Sequence, residues 1–403
     1  MRISFVSALR LDIDMHKTRE LEMAKALAER GHTITLVATV SKRHFQMLDE
    51  RINLIPIPIR CVPLISPLIW AGVLLFFLPI HVLVSRPDFI IMDPEISVLS
   101  SIPTLIASRL SKVKFILDVR STPVEVLDFP DRLEEFLFNV SVLVAKKLFA
   151  GIVAVTSEMK SQVCRKFDID QRTAGVWSNG APTDLFDPQN SLIDSVKLRE
   201  KFALTKKFVV FYHGIFSPHR ALTETVEAIH MLRQKHPEVV FFLLGSGPSI
   251  SRIEDVIQQK GLQINTIVHG PVPYEDVPKF IGLCDVGIVP APDIPDWRFQ
   301  SPLKLMEYLA MEKVTIVSDI PACREIVDDE KCGIYLQSCT PFEIAKSIEY
   351  AYINKDRLDG WGKVGRRIIQ ENYTWEKVGE RVEHYLLSID LRPQKRSALW
   401  ATI

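Results

Sequence analysis

Short apolar runs, each long enough for one buried strand, alternate with longer stretches of helical periodicity over almost the whole chain. This alternation is the tightest constraint on the fold, because a strand, a helix and a second strand in one sheet make a parallel βα unit. The first half supplies strand candidates at Ile3 to Ser7, Thr33 to Val37, Phe89 to Met92, Phe115 to Val119 and Gly151 to Val155. A second series runs through Phe208 to Tyr212, Val239 to Leu244, Thr266 to His269, Val286 to Val289 and Val314 to Val317. Each series suffices for its own doubly wound domain, and 403 residues exceed what one hydrophobic core usually serves. Trp177 to Pro188 is dense in turn formers and reads as the linker, which predicts a first domain over 1–189 and a second over 190–373. The last strong helical pattern spans 374–391, opened by the capping candidate Thr374 with Glu376 in support. Residues 392–403 are mixed basic and apolar without a period and read as a tail.

Apolar residues make up 47% of the chain and charged residues 24%, the balance of an ordered globular protein. The formal net charge is +0, so no nucleic-acid partner follows from charge. The six cysteines, Cys61, Cys164, Cys284, Cys323, Cys332 and Cys339, form no Cys-x-x-Cys pair and sit mostly within apolar runs. They read as reduced core thiols, with no metal site expected. The amino terminus enters a strand directly at Arg2 to Ser7 rather than a charged cap and apolar core, so no secretory signal is expected and the location is read as cytoplasmic.

One segment needs separate treatment. From Cys61 to Ser85 there is no Asp, Glu, Lys or Arg, and by length alone the run can span a bilayer. Strand candidates on both sides of it belong to one sheet, which a spanning segment would divide, and Pro63, Pro67 and Pro79 interrupt it. Three readings stay open: a buried or half-buried helix of the first domain, a helix dipping into one leaflet, and a true span. A second apolar helix pattern, about Leu133 to Phe149, ends in Lys146 and Lys147 and reads either as a core helix with a cationic last turn or as part of the same lipid-facing surface.

The chemistry concentrates in Ser301 to Met311. Lys304 and Glu307 stand three positions apart on a buried-looking helix, so a cation and a carboxylate share one face just after a Pro-containing loop. Free amides at a helix start and a nearby Lys hold phosphate oxygens, and a carboxylate one turn further accepts hydrogen bonds from a diol. Upstream, Phe211 to Ile215 is a strand ending in Gly214, Arg220 enters a helix, and Leu243 to Pro248 turns on Gly245 and Gly247.

This ordered set resembles the nucleotide-sugar site of the family 4 glycosyltransferases, also known as glycosyl transferases group 1. Their signature is Glu-Gly-Phe-Gly-Leu, a spacer, then Glu-Ala-Met-Ala. Glu307 falls on the second Glu, Ser301, Pro302 and Leu303 fall on Phe-Gly-Leu, and Phe299 stands where the first Glu is usual. Arg220 takes the place of the family's phosphate-binding Lys, and Ile215 replaces an Arg that usually follows the strand Gly. The resemblance implies a GT-B architecture with an interdomain cleft and a last helix crossing back to the first domain. It implies no cofactor and no bound metal, with a UDP- or GDP-linked sugar as co-substrate and transfer with retention. The donor-binding positions implied are His213, Gly214, Gly245, Gly247, Pro248, Val272, Ser301, Pro302, Leu303 and Glu325. The catalytic positions implied are Asp118, Arg220, Lys304 and Glu307.

On the first domain the acceptor is expected at the carboxyl ends of the strands. Asp118 can orient a hydroxyl, and Arg120 can hold an anionic acceptor or pair with Asp118 in a strand-end salt bridge. The first loop, read as Ala8 to Met15, lacks the family's Gly-Gly, and His16, Lys17 and Arg19 take its place, with His16 an acceptor-binding candidate. His32 and His81 read as structural. The expected partners are a nucleotide sugar and a sugar or lipid-linked acceptor, in envelope polysaccharide or glycolipid assembly, with peripheral contact of 61–85 at the inner membrane face. Two other readings are a nucleotide-sugar epimerase of the same fold and an inactive membrane-associated scaffold, the latter prompted by Phe299. A dehydrogenase is disfavoured because no Gly-x-Gly-x-x-Gly follows the first strand.

Overall fold

A computed structural model describes residues 1–10, 14–40, 49–59, 65–108, 112–123, 129–294, 297–327 and 332–391. Cys61 and the tail from 392 lie outside the described residues, as does the side chain of His16.

The first sheet contains β1 (Arg2–Arg10), β2 (Thr33–Val40), β3 (Ile52–Pro58), β4 (Phe89–Met92), β5 (Lys114–Val119), β6 (Gly151–Ala154) and β7 (Ala174–Val176), in the order β3-β2-β1-β4-β5-β6-β7. The second contains β8 (Phe208–Ile215), β9 (Val239–Ser246), β10 (Thr266–His269), β11 (Val286–Val289), β12 (Thr315–Ser318) and β13 (Gly333–Leu336), in the order β10-β9-β8-β11-β12-β13. All pairings are parallel, with Phe5 opposite Leu36 and Ile91 in the first sheet and Gly214 opposite Gly245 in the second. The chain reverses direction across each sheet between β1 and β4 and between β8 and β11, opening a crevice beyond the carboxyl ends where ligands bind in such sheets.

Alternate strand residues enter different cores, as parallel sheets covered on both faces require. Phe211 and Phe242 join one apolar cluster of the second domain, and Tyr212 and Phe241 join the other. Three strands absent from the expected set, β3, β7 and β13, all lie at sheet edges. Edge position accounts for their weak signal: β3 carries Pro56 and Pro58, β7 has three residues, and β13 begins with Gly333.

The helix Ile65–Ser85 buries Trp70, Leu74, Leu78 and Val82 against the first sheet. His81 Nε2 lies 2.9 Å from Ser4 Oγ on β1, and Trp70 Nε1 donates to Ser97 Oγ at 2.8 Å, so this helix is fastened to the domain. Its opposite side exposes Leu68, Phe76, Ile80, Leu83 and Val84. The helix Phe129–Leu148 places Val144 against the same cluster and exposes Phe129, Phe136 and Leu143.

Helix Pro188–Lys201, capped by Asp187, packs on helix Val277–Gly282 of the second domain. The last helix, Trp375–Asp390, is capped by Thr374 and returns to the first domain. There Val378, Val382 and Leu386 share a core with Ala24 and Leu27, while Tyr385 Oη donates to the Ile152 carbonyl at 3.1 Å. Two Rossmann-like domains joined by a linker and a returning helix constitute the GT-B architecture.

Candidate donor and acceptor sites

The crevice of the second sheet is lined by the ends of β8 and β9 and the start of helix Leu303–Ala310. Gly214 and Gly245 pair across β8 and β9 with φ of 113° and 140°, a region that disfavours side chains. A Cβ on Gly214 would meet Lys304 Cε and Nζ at 3.3 Å, so the lysine lies directly over this glycine. No side chain caps the helix at Pro302, which leaves first-turn amides to the cleft.

Lys304 Nζ sits 5.2 Å from the Tyr212 ring centre, and the Arg220 guanidinium stacks 4.0 Å from that of Trp297. Neither cation has an ion-pair partner among the described residues. Burial and the charge of Arg220 push the Lys304 amine down to about 7, with Glu307 opposing. Glu307 is buried one turn further in. Tyr274 Oη donates to its Oε1 at 2.8 Å, and His213 Nε2 lies 3.3 Å from its Oε2. Burial raises the Glu307 carboxyl, while the Tyr274 hydrogen bond and Lys304 oppose that rise. Burial, then Lys304, hold His213 well below the ordinary histidine value, so its ring is neutral. Among the described residues, three buried polar atoms around this crevice have no hydrogen-bond partner: His213 Nε2, Trp297 Nε1 and Ser301 Oγ. A site with two unpaired cations, orphaned polar atoms and a half-satisfied carboxylate has the chemistry of a phosphate- and diol-bearing ligand.

The other candidates distribute as follows. Val272 is half-buried against the second-domain core at the loop leading to Tyr274. Gly247 packs on the Phe216 backbone, next to exposed Pro248, so its lack of a side chain is required by the turn itself. Glu325 is not brought together with Glu307. Its carboxylate instead accepts from Ser157 N at 3.2 Å and Ser157 Oγ at 3.0 Å on the first domain.

On the first domain, Arg120 Nε donates to Asp118 Oδ2 at 2.7 Å, and Trp177 Nε1 donates to Asp118 Oδ1 at 3.1 Å. The strand-end salt bridge is therefore the arrangement adopted, and both side chains are buried. Of the loop expected over Ala8 to Met15, Ala8 to Arg10 belong to β1 and Asp14 and Met15 to the helix Asp14–Glu29, while 11–13 lie outside the described residues. Asn179, inside the turn-rich linker, bridges the two sides: Arg120 Nη1 lies 3.5 Å from its Oδ1, and its Nδ2 donates to the Ser301 carbonyl at 3.2 Å. Phe299 packs in a first-domain cluster with Leu117, Phe138 and Met159, and its carbonyl accepts from Thr156 Oγ1 at 2.8 Å.

Sequence reasoning missed Tyr274, Trp297 and Asn179, whose roles depend on contacts far along the chain. It also missed Asp93, which directly follows β4 and carries the strand-end signal that singled out Asp118.

The fold and the cation-lined crevice define a GT-B protein with a site suited to a phosphorylated, hydroxyl-rich ligand. Residues 194–368 match the family model for glycosyl transferases group 1. The chain is 20% identical over 201 residues to alpha-D-kanosaminyltransferase of Streptomyces kanamyceticus, covering 50% of each. It is 20% identical over 213 residues to GDP-mannose-dependent alpha-(1-6)-phosphatidylinositol monomannoside mannosyltransferase of Mycobacterium tuberculosis, covering 52% of this chain and 55% of that protein. The chain thus spans about half the length of the curated relatives it matches. In fold it is similar to Anabaena HepE in complex with UDP and glucose, with a TM-score of 0.73, 14% identity, and coverage of 96% of this chain and 99% of that one.

Proposed function

We propose that the protein is a glycosyltransferase that moves a sugar from a nucleoside-diphosphate donor to an acceptor, with retention and without a bound metal. The observation that carries this reading is the pair Lys304 and Arg220, unpaired beside buried Glu307 at the second-sheet crevice. Negative charge grows on the leaving diphosphate as the glycosidic bond breaks, and the two cations with the helix-start amides stand where they stabilise it. The departing phosphate oxygen takes the acceptor proton. Glu307 Oε2 is the acceptor for a ribose hydroxyl, since Tyr274 occupies Oε1. A UDP- or GDP-linked donor is supported by the GDP-mannose dependence in one relative's name and by the UDP and glucose of the Anabaena complex.

A lipid-linked acceptor at the inner membrane face, in envelope polysaccharide or glycolipid assembly, is the finer part of the proposal. It is supported by the exposed apolar sides of helices Ile65–Ser85 and Phe129–Leu148, with Lys146 and Lys147 in the last turn of the latter. The test is thermal stabilisation by UDP, GDP, ADP and their sugars, repeated with Lys304→Ala and Glu307→Ala. Stabilisation by one nucleotide, lost in both variants, is expected. No stabilisation by any nucleotide sinks the transferase reading, and epimer formation from donor alone replaces it with an epimerase.

A further inference from the structure

A second cavity, of about 20 Å³, lies at the crevice of the first sheet and is lined by Ser7, Arg19, Glu20, Asp93, Asp118 and Arg120. That volume admits one water-sized group rather than a sugar ring. Most polar atoms around it are already engaged. Asp118 and Arg120 hold each other, Ser7 Oγ donates to Asp93 Oδ2 at 2.6 Å, and Arg19 Nη2 donates to Glu20 Oε1. Among the described residues Glu20 Oε2 has no hydrogen-bond partner; it is buried, on a residue only 9% exposed that lines this cavity.

The unfilled capacity here is that of an acceptor, Glu20 Oε2, on a carboxylate ion-paired through its other oxygen; among the described lining residues three carboxyl groups, Glu20, Asp93 and Asp118, stand with two cations, Arg19 and Arg120. Burial pushes the Asp93 carboxyl up to about 7, with Arg19 the largest charge opposing the rise and Glu20 and Asp118 adding to it. A compact group with several donors and a positive charge satisfies both the geometry and the charge.

We infer that Glu20, with Asp93, binds a primary ammonium group of an amino-sugar-like acceptor in the first-sheet crevice. Calling the occupant an acceptor rests on the transferase reading, whereas its binding does not. Calorimetry on the full chain with D-glucosamine and D-glucose, without and with saturating UDP, tests it. Glucosamine should bind at least about tenfold more tightly than glucose, and Glu20→Gln should remove that preference by placing an amide donor where an acceptor is needed. Asp93→Asn should weaken glucosamine in the same direction, a second variant in case Glu20→Gln does not fold. Stabilisation by UDP should persist in both variants, since neither residue lies at the second-sheet crevice. Equal affinity for the two sugars, binding of neither, or undiminished glucosamine binding by folded Glu20→Gln overturns the inference. No UDP binding by the parent chain, with its glucosamine preference intact, counts against the transferase reading and leaves this site standing.

Discussion

Lys304 combines a cleft position with an amine held down to about 7 by burial and by Arg220. A nucleoside diphosphate bound there favours the charged amine, so binding above pH 7 takes up a proton. Affinity for UDP should therefore fall as pH rises from 7 to 9, by up to about tenfold per unit. Titration calorimetry in buffers of different ionisation enthalpy should register the uptake, and Lys304→Met should abolish it. Stability of the unliganded protein carries the opposite trend. Unfolding returns this amine to its ordinary 10.5, so between about 7 and 10.5 the unfolded chain binds more protons and this group makes stability rise with pH. Tyr274→Phe leaves Glu307 Oε1 buried without its donor, which costs roughly 1–3 kcal/mol where no water replaces it. A lower Tm and a raised KM for donor with kcat little changed are expected, because the hydroxyl acts through the carboxylate. Lys304 and Glu307 were legible in sequence because a three-residue spacing on a helix fixes a shared face. Tyr274 was not, since its hydroxyl reaches a helix residue 33 positions further along the chain and no local periodicity encodes that contact.

At the scale of elements, the helix Ile65–Ser85 shows how one segment can meet two environments. Trp70, Leu74, Leu78 and Val82 recur every four residues and fill the core, whereas Phe76 is 74% exposed and Leu83 71%. The uncharged run was visible in sequence, but which half it buries was not, because nearly every position is apolar and the pattern has no polar face to read. His81 settles the docking by meeting Ser4. Phe76→Glu with Leu83→Glu should abolish co-sedimentation with anionic vesicles, while the free energy of unfolding stays within about 0.5 kcal/mol of the parent because both side chains leave the core untouched. Unchanged vesicle binding by the double variant removes lipid contact from this face. The edge strands make the same point in reverse. Central strands such as Phe208–Ile215 are buried on both faces and announce themselves as apolar runs, whereas β3 buries only Ile52 and Ile57 and carries two exposed prolines.

For the whole molecule, the segment 297–302 ties donor site and first domain together. Trp297 stacks on Arg220, Phe299 enters the first-domain cluster, and the Ser301 carbonyl takes the Asn179 amide. The position at which the family usually carries Glu thus serves as an apolar interdomain contact, and no single-domain property of the sequence announces that exchange. Burying a phenylalanine contributes about 1.5–3 kcal/mol. Phe299→Glu removes that term and places a carboxylate among Leu117, Phe138 and Met159, where an unpaired charge is not tolerated. The two domains keep their own cores and the helix Trp375–Asp390, so the variant should remain folded but open. Small-angle scattering should show a larger radius of gyration than for the parent, and denaturant unfolding should separate into two transitions. Donor affinity should weaken in parallel, since Trp297 and Ser301 would leave the cleft with the loop. An unchanged radius with a single transition would mean that the linker and the last helix alone hold the domains in place.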